Sequence, residues 1–172
     1  MKSKESIAGG VVDENIAVLY RTNFQSRVLE EAFLAHSVPY QMLGTKFFER
    51  KEIKDVVSFI KASLNFNSSD ETTITNAENT GNFIRIINIP PRGIGKTTVQ
   101  KILAGSESDL PKNTKIKINN FRKMLQDFKT VLVSQKPSEA IKYIIKTSGI
   151  ENLYSSGLEE DTERLENVME LV

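Results

Sequence analysis

Apolar residues recur at helical spacing through the second half of the chain, and this pattern constrains the fold more than any other feature. Residues three and four apart share one face of a helix, so each such stripe predicts a helix that packs on one side. The stripes comprise Phe83, Ile86 and Ile87, then Ile118, Phe121, Leu125, Phe128 and Leu132, then Ala140, Ile141, Ile144 and Ile145, and finally Leu165, Val168, Met169 and Val172. We therefore expect residues 83–172 to form a mostly helical domain.

The first half of the chain alternates short apolar runs with helical stretches. The runs at residues 16–20 and 40–43 have the length of buried strands, and a helical pattern follows each of them. Strand–helix–strand–helix with short connections is typical of a parallel α/β sheet. Two strands cannot bury both faces of a sheet, so residues 15–64 predict only a piece of such a domain. Residues 1–14 predict a disordered leader, and the polar stretch 65–82 predicts a linker.

Composition excludes several classes of protein. The chain has no cysteine and one histidine, which excludes disulfides and thiolate metal sites and argues against zinc. No run approaches the ~18 apolar residues that a membrane helix needs, and residues 1–14 lack the apolar core of a secretory signal. We expect a soluble, cytoplasmic protein with no metal site and no membrane partner.

Charge is strongly segregated along the chain although the net charge is +1. Residues 84–146 carry 13 Lys and Arg against 4 Asp and Glu, and residues 147–172 carry 1 against 7. A basic block beside an acidic one can be a nucleic-acid face with a separate interaction surface. It can also be two solvated helical faces of opposite sign that pair with each other. On charge alone the second interpretation is favoured.

The first candidate site is the polar stretch after the apolar run at residues 16–20. Ligands of parallel α/β sheets bind where strands end, and Tyr20 and Arg21 stand at such a predicted end. An aromatic ring there can stack on a base, and a guanidinium can bind phosphate oxygens in a forked geometry. The alternative is that Tyr20 only ends a strand and Arg21 is a solvated cap. The residues alone favour the alternative.

The second candidate site is the stretch Pro-Pro-Arg-Gly-Ile-Gly-Lys-Thr-Thr at residues 90–98. A Gly-x-Gly turn that opens a helix exposes backbone N–H groups, which form an anion site together with the helix dipole. The stretch is not a nucleotide P-loop, because that pattern needs glycine at the position of Pro90. A hairpin that binds a nucleic-acid phosphate fits the basic block better, and a plain turn between helices is the other interpretation.

Four segments, in order along the chain, resemble the UvrD/Rep/PcrA-type superfamily 1 DNA helicases. Residues 16–27 resemble the family's motif IV, and residues 38–55 resemble the stretch that follows it. Residues 86–95 are similar to the duplex-contacting glycine hairpin of the accessory domain, and residues 164–171 resemble a later helix of that domain. The resemblance implies an internal fragment of such a helicase: part of the RecA-like second motor domain at 15–64 and part of the helical accessory domain at 83–172, helix-dominated overall.

The resemblance also implies roles for particular residues. Tyr20 falls where the family's tyrosine stacks near the adenine of ATP, and Arg21 falls where an arginine reaches the γ-phosphate. Phe47 and Arg50 lie in a stretch that is near the single-strand path in relatives, and this correspondence is weaker. The expected duplex contacts are Gly93, Ile94 and Gly95, with Arg92, Lys96 and Thr97 beside them.

The implied function is ATP-driven 3′ to 5′ translocation on single-stranded DNA with unwinding of duplex DNA, in repair or replication. ATP and Mg²⁺ are the implied cofactors of the parent protein, and DNA and the remaining helicase domains are the implied partners. The sequence holds no Walker A lysine, no acidic Walker B pair and no later arginine motif, and phosphoryl transfer needs these groups together. We therefore expect this chain alone to bind no cofactor and to lack ATPase activity.

Two other function classes remain open at this point. One is a non-enzymatic nucleic-acid-binding module that uses the basic block alone. The other is a helical protein-interaction domain whose contact surface is the acidic tail. Salt dependence separates them, because phosphate contacts weaken steeply as salt rises.

Overall fold

A computed structural model describes residues 16–21, 25–66 and 77–172, and the regular elements in these ranges are helices. The helices are α1 Gln25–Ala35, α2 Lys51–Leu64, α3 Ala77–Ile86, α4 Lys96–Leu103, α5 Lys112–Ser134, α6 Pro137–Ser148, α7 Ile150–Leu153 and α8 Glu159–Met169, with 3-10 turns at Phe47–Glu49 and Glu107–Asp109. The chain divides into two compact units, one that ends at Arg50 and one from Lys51 to Val172. The predicted leader and most of the predicted linker lie outside the described residues.

Helix α2 is the centre of the larger unit and packs against α3, α5, α6 and α8. Its Phe59 ring is fully buried and lies 6.4 Å from the ring of Phe121 and 6.0 Å from that of Phe128. Burial of one such side chain stabilises a fold by about 1.5–3 kcal/mol, and tilted or edge-on ring pairs add to this. The helix-dominated fold that the apolar stripes predicted is confirmed, because the regular elements of the described residues are helices.

Helix α6 shows how closely the local sequence sets its ends. Pro137 occupies the first turn, where its missing N–H has no partner to lose, and Gly149 ends the helix at φ +87°. Ala140, Ile144 and Ile145 are buried, as their spacing predicted. The positive φ at Gly149 is a conformation that side chains with a Cβ rarely adopt.

The predicted strands are absent from the described residues. Residues 16–20 and 40–43 have no regular structure, and the side chains of Leu19 and Leu43 are 93% and 90% exposed. A strand in a parallel sheet is stabilised by neighbouring strands and by layers on both faces, and no neighbouring strand occurs among the described residues. The α/β interpretation of residues 15–64 is therefore not confirmed.

Helix α2 belongs to the larger unit, whereas the predicted division placed it with the preceding segment. Two polar contacts add to its aromatic packing. The Arg85 guanidinium donates to Asp55 Oδ1 at 2.6 Å and joins α3 to α2, and Asn167 Nδ2 donates to Glu52 Oε1 at 2.8 Å and joins α8 to α2. Glu52 and Asp55 lie three residues apart on one side of α2 and thus join it to α8 and α3.

Candidate nucleic-acid interface

The segment between α3 and α4, residues 87–95, forms the α3–α4 loop, and the side chain of Asn88 fixes its shape. Asn88 Oδ1 accepts hydrogen bonds from the N–H groups of Arg92, at 2.7 Å, and Ile94, at 3.2 Å. The Ile94 side chain is only 1% exposed and belongs to the hydrophobic core. The middle of the loop is therefore anchored from inside. Asn88 carried no sequence signal, because an isolated asparagine near a helix end is typical of any turn.

Four of the predicted residues are open to solvent: Gly93 and Gly95 in the loop, and Lys96 and Thr97 in the first turn of α4. Gly93 has φ +68°, which favours glycine because it has no Cβ. Gly95 is the N-cap of α4, and the first N–H groups of a helix have no partner within it. The partial positive charge of that helix end adds to the charge of Lys96. The arrangement can bind an anion such as a phosphate.

The guanidinium of Arg92 turns into the protein instead of outward to DNA. Arg92 donates to four carbonyl oxygens, those of Ile86, Ile89, Pro90 and Ser148, at distances of 2.5 to 3.2 Å. It thereby connects the end of α3, the loop and the end of α6. The predicted role as a flanking DNA contact does not match this placement, and we assign Arg92 a positioning role.

The surroundings of Arg92 explain how a charge is held there. Its guanidinium carbon lies 5.7 Å from the centre of the Phe59 ring and 5.3 Å from that of Phe121. Burial lowers the pKa of Arg92 to about 10, because removal from water disfavours the charged form. The group is still protonated at neutral pH, and the carbonyl acceptors and ring faces stabilise that charge.

Tyr20 and Arg21 lie in the first unit, just before α1. Both are exposed, and the backbone N–H of Arg21 donates to Gln25 Oε1 at 3.1 Å. Residues 22–24 of the motif lie outside the described residues. Because both side chains are exposed, a nucleotide could reach them, and the contacts to ATP stay a prediction.

Phe47 and Arg50 are buried in the first unit, although a single-strand contact was predicted there. The Phe47 ring lies 5.5 Å from the Arg27 guanidinium and 5.6 Å from that of Arg50. Arg50 also donates to Ser26 Oγ at 2.9 Å. Phe48, the next residue, has the exposed ring. The burial follows from contacts with α1 that the local sequence does not reveal.

The residues that the structure describes do not by themselves make a site for Mg²⁺. Within the described part of the chain, no group of three or more His, Cys, Asp or Glu side chains could hold a metal ion. Tyr20 and Arg21 could contact a nucleotide, but a magnesium site needs several oxygen ligands. In the same residues, no helix has the length and apolarity to cross a membrane.

Comparison of the sequence with known protein families identifies the class of protein. Residues 5–172 match the family described as the UvrD-like helicase C-terminal domain. The match spans most of the chain, so the chain belongs to this family, and the resemblance to UvrD/Rep/PcrA-type helicases is confirmed.

Comparison with individual proteins identifies particular relatives within this family. The chain is similar to the ATP-dependent DNA helicase PcrA of Staphylococcus aureus, with 34% identity over 176 aligned residues that cover 92% of this chain and 23% of the relative. It is also similar to PcrA of Staphylococcus epidermidis, with 48% identity over 88 residues that cover 51% of this chain and 11% of the relative. The chain thus spans less than a quarter of the length of these relatives.

Proposed function

We propose that this chain is part of an ATP-dependent 3′ to 5′ DNA helicase that translocates on single-stranded DNA and unwinds duplex in repair or replication. Membership of the UvrD-like family and the activity named for the PcrA relatives support the proposal. Within such a helicase, this chain contributes a duplex contact through the α3–α4 loop. The other helicase domains and DNA are its partners.

The observation that carries the duplex contact is a loop fixed on its inner side and open on its outer side. Asn88, Arg92 and Ile94 anchor the backbone, so little ordering is needed when a ligand binds. Gly95 and Lys96 leave the outer side accessible. Backbone N–H groups and lysines contact phosphates, which carry no sequence information. We therefore expect binding that is independent of DNA sequence.

In the parent helicase, we propose that Tyr20 stacks on the adenine and Arg21 contacts the γ-phosphate. Both are accessible and adjacent. Other parts of the parent supply the phosphate cradle and the magnesium ligands, because this sequence has no Walker A lysine and no acidic Walker B pair, and its described residues hold no cluster of metal ligands. The proposal assigns this chain a contribution to the nucleotide site and no turnover of its own.

Salt titration of DNA binding tests the duplex contact. Labelled duplexes of two unrelated sequences should bind the 172-residue chain equally, with a dissociation constant of roughly 10⁻⁴–10⁻⁶ M at physiological salt. Lys96→Ala should weaken both complexes alike and reduce the slope of log K against log salt by about one. Lys101→Ala removes the same charge from the same helix and is the control.

Two results would overturn the duplex contact. One is a lack of binding even at low salt. The other is a Lys96→Ala variant that behaves like Lys101→Ala. The helical unit would then be better interpreted as a protein-interaction surface.

A further inference from the structure

We propose that Lys117, on α5, is a second phosphate contact, so that two helices hold the DNA beside the α3–α4 loop. This inference rests on the proposed duplex contact and adds a residue that lies outside the Gly-x-Gly motif. Lys117 follows Gly93 by more than twenty positions in the sequence. Only the packing of α5 against the rest of the unit brings it to the loop.

The geometry at Gly93 places the Lys117 ammonium on the outer side of the loop. A Cβ built on Gly93 would lie 2.6 Å from Lys117 Nζ, which is well inside van der Waals contact. Both residues are exposed, so this ammonium lies at the solvent side of the loop backbone. Gly93 stands two residues before Gly95, the N-cap of α4. A phosphate that approaches the α4 N-terminus would therefore come close to Lys117.

The charge of Lys117 is uncompensated, unlike those of Lys115 and Arg122 on the same helix. Lys115 Nζ donates to the carbonyl of Ser108 at 2.7 Å, and Arg122 forms a forked ion pair with Glu107 at 2.7 and 2.8 Å. Lys117 has no hydrogen bond or ion pair with any residue that the structure describes.

An uncompensated ammonium beside a helix N-terminus is electrostatically unfavourable, because the helix end is itself positive. The exposed Lys96 adds another positive charge at the same helix end. An anion bound between these groups relieves the repulsion. The chemistry of the surface therefore points to a phosphate ligand, and the helicase family makes the DNA backbone its source.

Glycine at position 93 is favoured by its backbone conformation, and its missing Cβ leaves room for the flexible Lys117 side chain. Its φ of +68° disfavours any residue with a Cβ, and a Cβ would displace the Lys117 ammonium. Part of the effect of Gly93→Ala on DNA binding should thus pass through Lys117. In a double-mutant cycle, Gly93→Ala should cost less affinity when Lys117 is already replaced.

The experiment measures duplex binding by the 172-residue chain from low salt to 1 M salt. Lys117→Gln removes the charge and keeps most of the stem, and Lys117→Arg retains the charge. Lys123→Gln is the matched control, because Lys123 is an exposed lysine on the side of α5 opposite Phe121 and Leu125. Far-UV circular dichroism and the thermal midpoint check that each variant is folded.

Lys117→Gln should reduce duplex affinity about five-fold at 0.15 M salt and lower the salt slope by about one, because one phosphate contact contributes roughly 0.9 to that slope. Lys117→Arg should keep most of the duplex affinity and most of the salt slope of the unmodified chain. Lys123→Gln should leave the slope close to that of the unmodified chain.

The outcomes separate this inference from the proposed function. If the unmodified chain binds duplex with the expected slope while Lys117→Gln behaves like Lys123→Gln, the Lys117 contact is wrong and the loop contact stands. If the unmodified chain binds no duplex, both are wrong. Equal effects of Gly93→Ala in the presence and absence of Lys117 would contradict the coupling between the two residues.

Discussion

Replacement of Arg92 by alanine distinguishes a positioning role from a DNA contact. The guanidinium donates to carbonyls at the end of α3, in the α3–α4 loop and at Ser148, the last residue of α6. It also contacts the rings of Phe59 and Phe121. Alanine removes all of these contacts, although the Ile86 carbonyl still accepts from the N–H of Ile89. We therefore expect a loss of stability.

The magnitude follows from the contacts. A hydrogen bond from a charged donor contributes about 1.5–3 kcal/mol, and each ring contact adds about 0.5–1 kcal/mol. Arg92 is half-buried, so water can reach some of the four carbonyls in the variant, and the loss is smaller than the sum. We expect Arg92→Ala to lower the free energy of unfolding by about 3 kcal/mol. Arg92→Lys should lose about half as much, because an ammonium cannot bind carbonyls in so many directions.

Urea unfolding followed by circular dichroism measures this loss, and duplex binding is measured on the same samples. The positioning role predicts reduced stability and, under conditions where the variant is folded, an unchanged salt slope. A variant within about 0.5 kcal/mol of the unmodified chain would refute the internal role. If its salt slope also fell by about one, Arg92 would be a phosphate contact.

Three further predictions concern the hydrophobic core, the ionisation of Tyr154 and the nucleotide site. Phe59→Ala should lower the free energy of unfolding by about 3–5 kcal/mol, because the ring is fully buried at the centre of the unit; a loss below about 1 kcal/mol in urea unfolding would contradict this. Burial, with Asp55 and Glu52 nearby, raises the pKa of Tyr154 to about 12. Between pH 10 and 12 the unfolded chain therefore ionises at Tyr154 while the folded chain does not. Stability should fall by about 1 kcal/mol between pH 9 and 11, and Tyr154→Phe should remove that part of the fall. With Mg²⁺ and ATP, this chain alone should show no ATP turnover. In the parent helicase, Arg21→Ala should reduce ATP turnover about 10²–10³-fold with little change in DNA affinity. Normal turnover in that variant would show that Arg21 is a solvated cap.

The helices could be predicted because their determinants are local. Apolar spacing marks the buried side of α5 through Phe121 and Phe128, and Pro137 and Gly149 mark the ends of α6. The prediction of strands was not confirmed, because a strand depends on residues that are distant in the sequence. A run such as residues 16–20 has the composition of a buried strand, but it becomes one only where other strands flank it. Its Leu19 side chain is exposed in this structure.

The candidate site was predictable only in part. The Gly-x-Gly pattern located the α3–α4 loop, because glycine and helix-end chemistry act within a few residues. The direction of Arg92 depends on Ser148, which is 56 residues away, and the position of Lys117 depends on how α5 packs. The burial of Phe47 likewise depends on Arg27 in α1. Contacts of this kind have no signature in the local sequence.

An NMR titration shows directly whether duplex DNA binds at the α3–α4 loop. Backbone amide signals of the isotope-labelled chain are followed as a short duplex is added at low salt. We expect the largest shifts at Gly93, Gly95, Lys96 and Thr97, and smaller ones around Lys117. Shifts centred on Glu159–Met169, or no shifts at the loop despite measurable binding, would contradict it.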